Sequence, residues 1–161
     1  MILKEGYSYH IKDSYFEKFK YLSNLSSNKE GGNYRPHYFA FADKNIEGLF
    51  WVIPISSKVE KYKCIIENKL KKHNRCDTIV IGEFNGKENA FLIQNAIPMI
   101  EKYVDHVHIV SGVEITVHNN LKKELRTKLN TALVLHKKGI KVIYTDVDEI
   151  LQSLIDELGS I

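Results

Sequence analysis

A short turn at residues 85–87 constrains the fold more than any other feature of this chain. Its sequence, NGK, joins two apolar segments, DTIVIGEF at 77–84 and ENAFLIQNA at 88–96. Asn-Gly tolerates the positive φ angles that tight hairpin turns require. The two segments are therefore predicted to be neighbouring antiparallel strands, which favours a sheet built from hairpins.

The remaining segments lack the regular strand–helix alternation of a doubly wound fold. A polar, Gly-rich stretch at 23–33 is predicted to be a loop, and Pro98 suits the first turn of a short helix. We therefore predict one α+β domain over residues 1–161 with a mainly antiparallel sheet. Further strands are predicted at 6–11, 37–43, 46–55, 106–110 and 140–146, and helices at 13–22, 58–73, 98–103, 117–138 and 147–158.

The composition, with 43% hydrophobic and 27% charged residues, is that of an ordinary soluble domain. No apolar run approaches the roughly 18 residues of a membrane helix, and the first residues do not resemble a secretory signal. Cys64 and Cys76 form no Cys-x-x-Cys motif. A reduced, cytoplasmic location is therefore expected.

Positive charge is concentrated in two helical segments, although the formal net charge is only +3. The chain after Tyr144 is acidic instead. Two basic helices could line a groove for a polyanion, or their lysines could simply be solvated. The cations are Lys58, Lys61, Lys63, Lys69, Lys71, Lys72 and Arg75 in the first segment, and Lys122, Lys123, Arg126, Lys128, Lys137, Lys138 and Lys141 in the second.

The stretch WVIPISSKVEKYK at 51–63 changes abruptly from apolar residues to hydroxyls and lysines. One interpretation is a helix start with Ser56 or Ser57 as its N-cap. Another is a phosphate site, because free N–H groups at a helix N-terminus bind anions. The two are compatible. Lys58 opposes the helix dipole there by roughly 0.3–1 kcal/mol, which hints at a bound anion.

The stretch NYRPHYF at 33–39 groups several side chains suited to RNA chemistry. Arg35 can clamp a phosphate, and His37 can move protons near neutral pH. Tyr34 and Tyr38 can stack on a base or donate a hydrogen bond to phosphate. The competing interpretation is a turn whose aromatic rings simply pack.

Two weaker signals suggest metal chemistry. Asp146 and Asp148 in YTDVDEI imitate a phosphoryl-transfer motif, and His106 and His108 could share one face of a strand. A helix cap and ordinary surface histidines explain these residues better. No Gly-rich phosphate loop is present in the sequence.

Taken in order, GGNYRPHYFAF, FWVIPISSKVEKYK, CDTIVIGEFNGKENAFLIQNAIPM and HVHIV before the long basic helix make the sequence recognisable. It resembles the toxins of type III toxin–antitoxin systems, the ToxN/AbiQ/CptN-like endoribonucleases, and most closely their CptN-like branch. Order and spacing match from about residue 5 to 155. The resemblance implies a strongly twisted antiparallel sheet flanked by helices, similar to the MazF/Kid-like toxins.

The resemblance also implies an activity and partners. The activity is metal-independent RNA cleavage that leaves a 2′,3′-cyclic phosphate and a 5′ hydroxyl, with no cofactor. The antitoxin is a small repeated RNA pseudoknot, which the toxin processes and which then inhibits it in a closed protein–RNA assembly, 2:2 rather than 3:3. Cellular or phage RNA is the other substrate, and no membrane or DNA partner is expected. The role is phage defence or growth arrest.

By position, the family's Thr/Ser-Ser-lysine motif falls on Ser56, Ser57 and Lys58, with Lys61 as a rival for the catalytic lysine. A Tyr and a Lys of ToxN fall near Tyr34 and His37, and histidine replaces the lysine. The serines are expected to hold phosphate and His37 to act as acid or base. The residues expected to position or bind RNA are Arg35, Tyr38, Lys63, Lys69, Lys71, Lys72, Arg75, Lys122, Lys123 and Arg126.

Two other functions remain open at this point. Basic helices and aromatic residues would also serve an RNA-binding module without chemistry. The third possibility is a metal-dependent phosphoesterase that uses Asp146, Asp148 and the histidines.

Overall fold

Antiparallel hairpins organise the fold, as the 85–87 turn predicts. The structure is a computed structural model that describes residues 2–159. The strands are β1 Ser8–Ile11, β2 Lys29–Glu30, β3 Asn33–Tyr34, β4 His37–Ala42, β5 Leu49–Ser56, β6 Ile79–Phe84, β7 Lys87–Leu92, β8 Ile97–Ile100, β9 Val104–Val107, β10 Ile109–Val110 and β11 Val113–Glu114. The helices are α1 Asp13–Lys18, α2 Val59–His73, α3 Asn119–Lys137 and α4 Val147–Gly159, with short 3₁₀ turns at Ile93–Asn95 and Glu101–Tyr103.

The main sheet has seven strands, in the order β6-β7-β5-β4-β1-β9, with β8 also paired to β5. Every pairing in it is antiparallel. The β6–β7 turn has φ angles of 54° at Asn85 and 76° at Gly86, which is the conformation that favours Asn-Gly there. The predicted α+β class with a mainly antiparallel sheet is therefore confirmed.

Strand β5 lies at the centre of the sheet, and all eight of its residues are buried. One edge pairs with β4. The other edge is shared: β8 pairs with Leu49–Val52 and β7 with Ile55 and Ser56. The two halves of β5 are thus held by different parts of the chain.

Alternate residues of β5 face two different hydrophobic clusters, because successive side chains of a strand point to opposite faces. Ile53 packs in a cluster with Phe91 and with Leu125 of α3. Val52 packs in a second cluster that includes Leu154 of α4. Helices therefore cover both faces of the strand.

Helix α2 covers a smaller third cluster beside the β6–β7 hairpin. Tyr62 of the helix packs there with Ile79 of β6 and with Ala90 and Leu92 of β7. Because only two residues separate the end of β5 from the start of α2, this packing fixes the direction in which the chain leaves the sheet.

Three predicted elements are wrong. The expected helix at 98–103 is instead strand β8, with Pro98 opposite Trp51, followed by a single 3₁₀ turn. Proline fits because β8 pairs with β5 alone, and an edge strand does not need every N–H. The expected strand at 140–146 forms no ladder, although Ile143 is buried. The expected loop at 23–33 contains β2 and the first residue of β3.

Between residues 2 and 159, no helix combines the length and the apolar character needed to cross a bilayer.

The packing of Phe91 generates the first prediction. Its ring is fully buried and meets Tyr38 and Phe84 edge-on, with centroid distances of 5.9 and 6.4 Å. We expect Phe91→Ala to lower the free energy of unfolding by about 3–5 kcal/mol, measured by urea denaturation. Val134→Ala, at a position 51% exposed, is the control and should change it by less than about 0.5 kcal/mol. A small loss for Phe91→Ala would contradict this account of the core.

Candidate functional site

The predicted serines lie where β5 ends and the chain turns into α2. Ser56 is the last residue of β5 and is fully buried, whereas Ser57 is exposed. The neighbouring strand β4 begins at His37, and Ile55 donates its N–H to the Pro36 carbonyl at 3.1 Å. This pairing brings Arg35, just before β4, next to the serines.

The side chain at the centre of this group is Glu30, at the end of β2. Ser56 Oγ donates to Glu30 Oε2 at 2.7 Å, and Arg35 Nη2 donates to the same oxygen at 3.0 Å. Ser57 donates to Glu30 Oε1 through its backbone N–H at 3.0 Å and through Oγ at 3.2 Å. The region therefore already binds an anion, the carboxylate of the chain itself.

The pKa of Glu30 reflects these contacts. Burial acts to raise it, but the hydrogen bonds from Ser56 and Ser57 and the charge of Arg35 outweigh burial, so the pKa of the carboxyl is lowered. Sequence reasoning missed Glu30 because it lies in a polar stretch assigned to a loop. Its position directly before Gly31 and Gly32, a turn signal, was the only local hint.

The expected serine N-cap is not what the structure shows. Lys58 occupies the N-cap position of α2, and no side chain caps the helix there. Ser56 Oγ accepts the Lys58 N–H at 3.1 Å instead. Lys58 and Lys61 are both exposed, and Lys61 Nζ lies 5.2 Å from the centre of the Tyr62 ring.

Tyr34 directly precedes Arg35 in the chain and is exposed. Its hydroxyl donates to Asp13 Oδ2 at 2.7 Å, and Lys29 Nζ lies 4.6 Å from its ring centre. The hydrogen bond to Asp13 raises the pKa of Tyr34, and the same bond with that from Asn28 lowers the pKa of Asp13. The tyrosine is therefore held in place by a carboxylate.

His37 and Tyr38 do not fit the roles expected of them. Both are buried: His37 is 0% exposed and Tyr38 is 1% exposed. Tyr38 packs its ring against Phe91 in the core, where it cannot contact RNA. His37 Nδ1 lies 3.2 Å from the Arg35 carbonyl, and burial together with the charge of Arg35 lowers the pKa of His37 to about 3. A neutral, enclosed imidazole is a poor general acid or base near neutral pH.

Three other histidines, His10, His106 and His108, form a cluster on β1 and the chain around β9. His10 Nε2 lies 2.8 Å from His108 Nδ1, and the His10 and His106 rings stack with centroids 4.7 Å apart. Asp148 pairs instead with His136, at 2.9 Å. The structure thus does not assemble the phosphoesterase set of Asp146, Asp148, His106 and His108. Over residues 2–159 no group of three or more His, Cys, Asp or Glu side chains is arranged to hold a metal.

Some of the predicted basic residues form ion pairs or hydrogen bonds within the protein, and others do not. Lys63 pairs with Glu88, Arg75 with Asp77 and Arg126 with Glu5. Lys69 is also tied, since its ammonium donates to Thr78 Oγ1 at 3.0 Å and Gln94 Oε1 at 2.8 Å. The side chain of Lys122 packs against Gly6. Among the residues expected to bind RNA, those that are exposed and form no ion pair within residues 2–159 are Lys71, Lys72 and Lys123.

The two basic segments meet at one cleft. A cavity of about 460 Å³ lies between the C-terminal ends of α2 and α3, with Tyr144 on its wall. Its lining brings cations from both segments together, as a shared polyanion surface requires. These cations are Lys69, Arg75, Lys128 and Lys141, of which Arg75 and Lys128 also pair with Asp77 and Glu124.

Comparison with solved structures identifies chains with the same fold. One is AbiQ, a lactococcal anti-phage endoribonuclease of the type III toxin–antitoxin system, with a TM-score of 0.71 and 12% identity over 96% of this chain and 98% of that one. Another belongs to work on a bacterial antiviral system regulated by a processed non-coding RNA, with a TM-score of 0.62 and 14% identity over 94% and 95% of the two chains. No family model and no curated protein sequence matches. The predicted resemblance is therefore confirmed at the level of fold.

The burial of His37 predicts how stability depends on pH. Its pKa is about 3 in the folded chain and near 6.5 when exposed, so the unfolded chain takes up a proton first as the pH falls. This histidine should therefore reduce the free energy of unfolding by roughly 1.4 kcal/mol per pH unit between about pH 6 and 4. In His37→Asn, urea denaturation should show a correspondingly shallower fall. His73→Asn removes an exposed imidazole and is the matched control; equal slopes in wild type and His37→Asn would contradict the prediction.

Proposed function

We propose that this chain is the toxin endoribonuclease of a type III toxin–antitoxin system. The single observation that carries the proposal is the set of donors at the end of β5, where two serines and an arginine converge on an anion. The fold shared with AbiQ over almost the whole chain supports it. The donors are those that a scissile phosphate needs.

The proposed reaction uses the RNA as its own nucleophile. The 2′ oxygen attacks the adjacent phosphorus, the bond to the 5′ oxygen breaks, and the products are a 2′,3′-cyclic phosphate and a 5′ hydroxyl. Ser57, through its N–H and Oγ, and Ser56 Oγ donate to the non-bridging oxygens. Arg35 supplies a fixed positive charge from the protein side. Lys58 or Lys61, both exposed at the start of α2, stabilises the charge that develops on the phosphorane.

Proton transfer falls to exposed side chains, because His37 is enclosed. Tyr34 is the best placed of the predicted residues, since it lies next to Arg35 in the chain and its hydroxyl is held by Asp13. Tyr34 donates a proton to the departing 5′ oxygen, and one of Lys58 and Lys61 accepts the proton of the 2′ hydroxyl while the other stabilises the phosphorane. No step in this scheme requires a metal ion or an organic cofactor.

The proposed partner is a repeated RNA pseudoknot that the toxin processes and that then inhibits it. The cleft between α2 and α3, with the exposed lysines near it, suits an RNA backbone. A closed 2:2 assembly is proposed over a 3:3 one, with cellular or phage RNA as the other substrate. The proposal also includes a cytoplasmic location, one domain over residues 1–161 and a sheet twist like that of MazF/Kid toxins.

Ser57→Ala tests the active site. Removing one phosphate donor should reduce the rate of RNA cleavage by about 10²–10³-fold and relieve growth arrest when the protein is expressed. Cleavage of bacterial RNA is measured in EDTA, and the new ends are analysed for cyclic phosphate. Ser23→Ala, at an exposed turn, is the matched control. Wild-type activity in Ser57→Ala would show that the site is elsewhere, and loss of wild-type activity in EDTA would favour the metal-dependent alternative.

A second candidate function is RNA binding without cleavage. It is favoured by the cleft between α2 and α3, which needs no chemistry to hold an RNA backbone. Purified wild-type protein that binds RNA but leaves it intact would support this alternative over the nuclease.

The exposed lysines of α2 provide a test common to both functions. A Lys71→Ala/Lys72→Ala variant should bind RNA more weakly, with the slope of log K against log salt reduced by about 1–2. Lys20→Ala, whose side chain pairs with Glu17 away from α2 and α3, should leave the slope unchanged. Equal slopes in wild type and the double variant would show that RNA does not lie along this surface. Affinities are measured by fluorescence anisotropy over a salt series.

A further inference from the structure

The contacts of Glu30 are those of a bound ligand. Its side chain is only 11% exposed, and its two oxygens accept four hydrogen bonds from three residues of other segments. Two donors are hydroxyls, one is a backbone N–H and one is a guanidinium. A phosphodiester recruits the same kinds of donor.

Arg35 keeps donors that the carboxylate does not use. Its side chain is 8% exposed, and only Nη2 reaches Glu30, at 3.0 Å. Arg35 Nε is buried and has no hydrogen-bond partner. A guanidinium can bind phosphate or carboxylate through two parallel hydrogen bonds, and here it makes one. The oxygens of a tetrahedral anion point in more directions than the two oxygens of a carboxylate. One of them could therefore accept a hydrogen bond from Arg35 Nε, the donor that Glu30 leaves unpaired.

The segment that carries Glu30 is not part of the main sheet. It belongs to the separate β2–β3 ladder, which joins only Lys29 with Tyr34 and Glu30 with Asn33. Gly31 and Gly32, between these strands, both have positive φ angles, and no atom lies within 4 Å of where a side chain would begin. The hairpin turn therefore has open space around it.

We infer that Glu30 is the built-in competitor for the phosphate site, and that RNA binds by displacing its carboxylate from Ser56, Ser57 and Arg35. The inference rests on the proposed function, because it takes RNA phosphate as the incoming anion. No bond is made or broken in the exchange. One anion replaces another on the same donors.

Charge balance makes the exchange conditional on an incoming anion. If Glu30 withdrew alone, Arg35 would be left buried without a counter-charge, which is strongly unfavourable. If phosphate entered while Glu30 stayed, two negative charges would share the same hydroxyls. The site therefore holds one anion at a time. An RNA phosphate must bind these donors more tightly than the Glu30 carboxylate does.

The test uses Glu30→Gln, which keeps the shape of the side chain and removes its charge. The probe is a fluorescent random-sequence RNA oligonucleotide with a 2′-O-methyl group on every ribose, which can bind but cannot supply a nucleophile. We expect Glu30→Gln to bind it roughly three- to thirtyfold more tightly than wild type does, because a like charge at the site is gone. Glu60→Gln is the matched control, since Glu60 is 92% exposed in the first turn of α2 and its loss makes the same charge change.

The control should change affinity by less than about twofold, because exposed charges are screened. Unchanged or weaker binding by a folded Glu30→Gln variant would overturn the inference and assign Glu30 a structural or catalytic role. Cleavage of unmodified RNA is measured separately. A wild-type protein that binds but cleaves nothing contradicts the proposed function and leaves the result for Glu30 standing.

A measurement on the wild type covers the case in which Glu30→Gln does not fold. The Ser57 N–H should change its acceptor from carboxylate to phosphate, so its amide signal in ¹H–¹⁵N spectra should shift as the same oligonucleotide is added. Phosphate displacement is overturned if this signal stays in place at saturation.

Discussion

The burial of β5 on both faces is the constraint on which the rest of the structure depends. Its eight residues are enclosed by α3 on one side and α4 on the other, so the strand cannot slide or rotate without exposing apolar surface to water. Ser56 is the last residue of this strand. The position of its hydroxyl is therefore set by core packing. A phosphate site built at such a point needs no separate scaffold.

The pair formed by Arg35 and Glu30 adds an electrostatic constraint to that geometric one. Both side chains are nearly enclosed, and a buried pair of this kind contributes little net stability while strongly resisting the loss of either partner. Its effect is to keep the serine hydroxyls and the guanidinium oriented toward one point. Under the proposed function, these donors are organised before an RNA phosphate arrives, which lowers the cost of binding it.

The parts of the fold that were predictable from sequence are those fixed by local chemistry. The Asn-Gly turn in residues 85–87 predicted a hairpin, which the structure contains. The change from apolar to hydroxyl residues after Ile55 predicted the end of a strand. Pro98 led to the wrong prediction of a helix at 98–103, because the fixed φ angle of proline suits an edge strand as well as a helix start. Residues 140–146 have the apolar pattern of a strand, but Ile143 is buried without pairing with a neighbouring strand.

The candidate site was predictable only in part, for a related reason. His37 is the first residue of the strand HYFAFA, whose continuous apolar run is typical of burial on both faces, but the pattern does not show whether the polar first residue shares that burial. Glu30 and Ser56 are 26 positions apart in the sequence, so only the folded chain brings them together.

The divided edge of β5 has a consequence for how proteins of this fold can diversify. The first half of the strand is held by β8 and the second half by β7, which belongs to a hairpin packed on α2 with its own small cluster. Substitutions at exposed positions of that hairpin and helix change the surface beside the serines, whereas Val80, Phe84 and Phe91 of the same hairpin belong to a main cluster and are constrained by it. A chain arranged in this way can vary the exposed surface beside its serines, while the buried residues that carry most of its stability stay under separate selection.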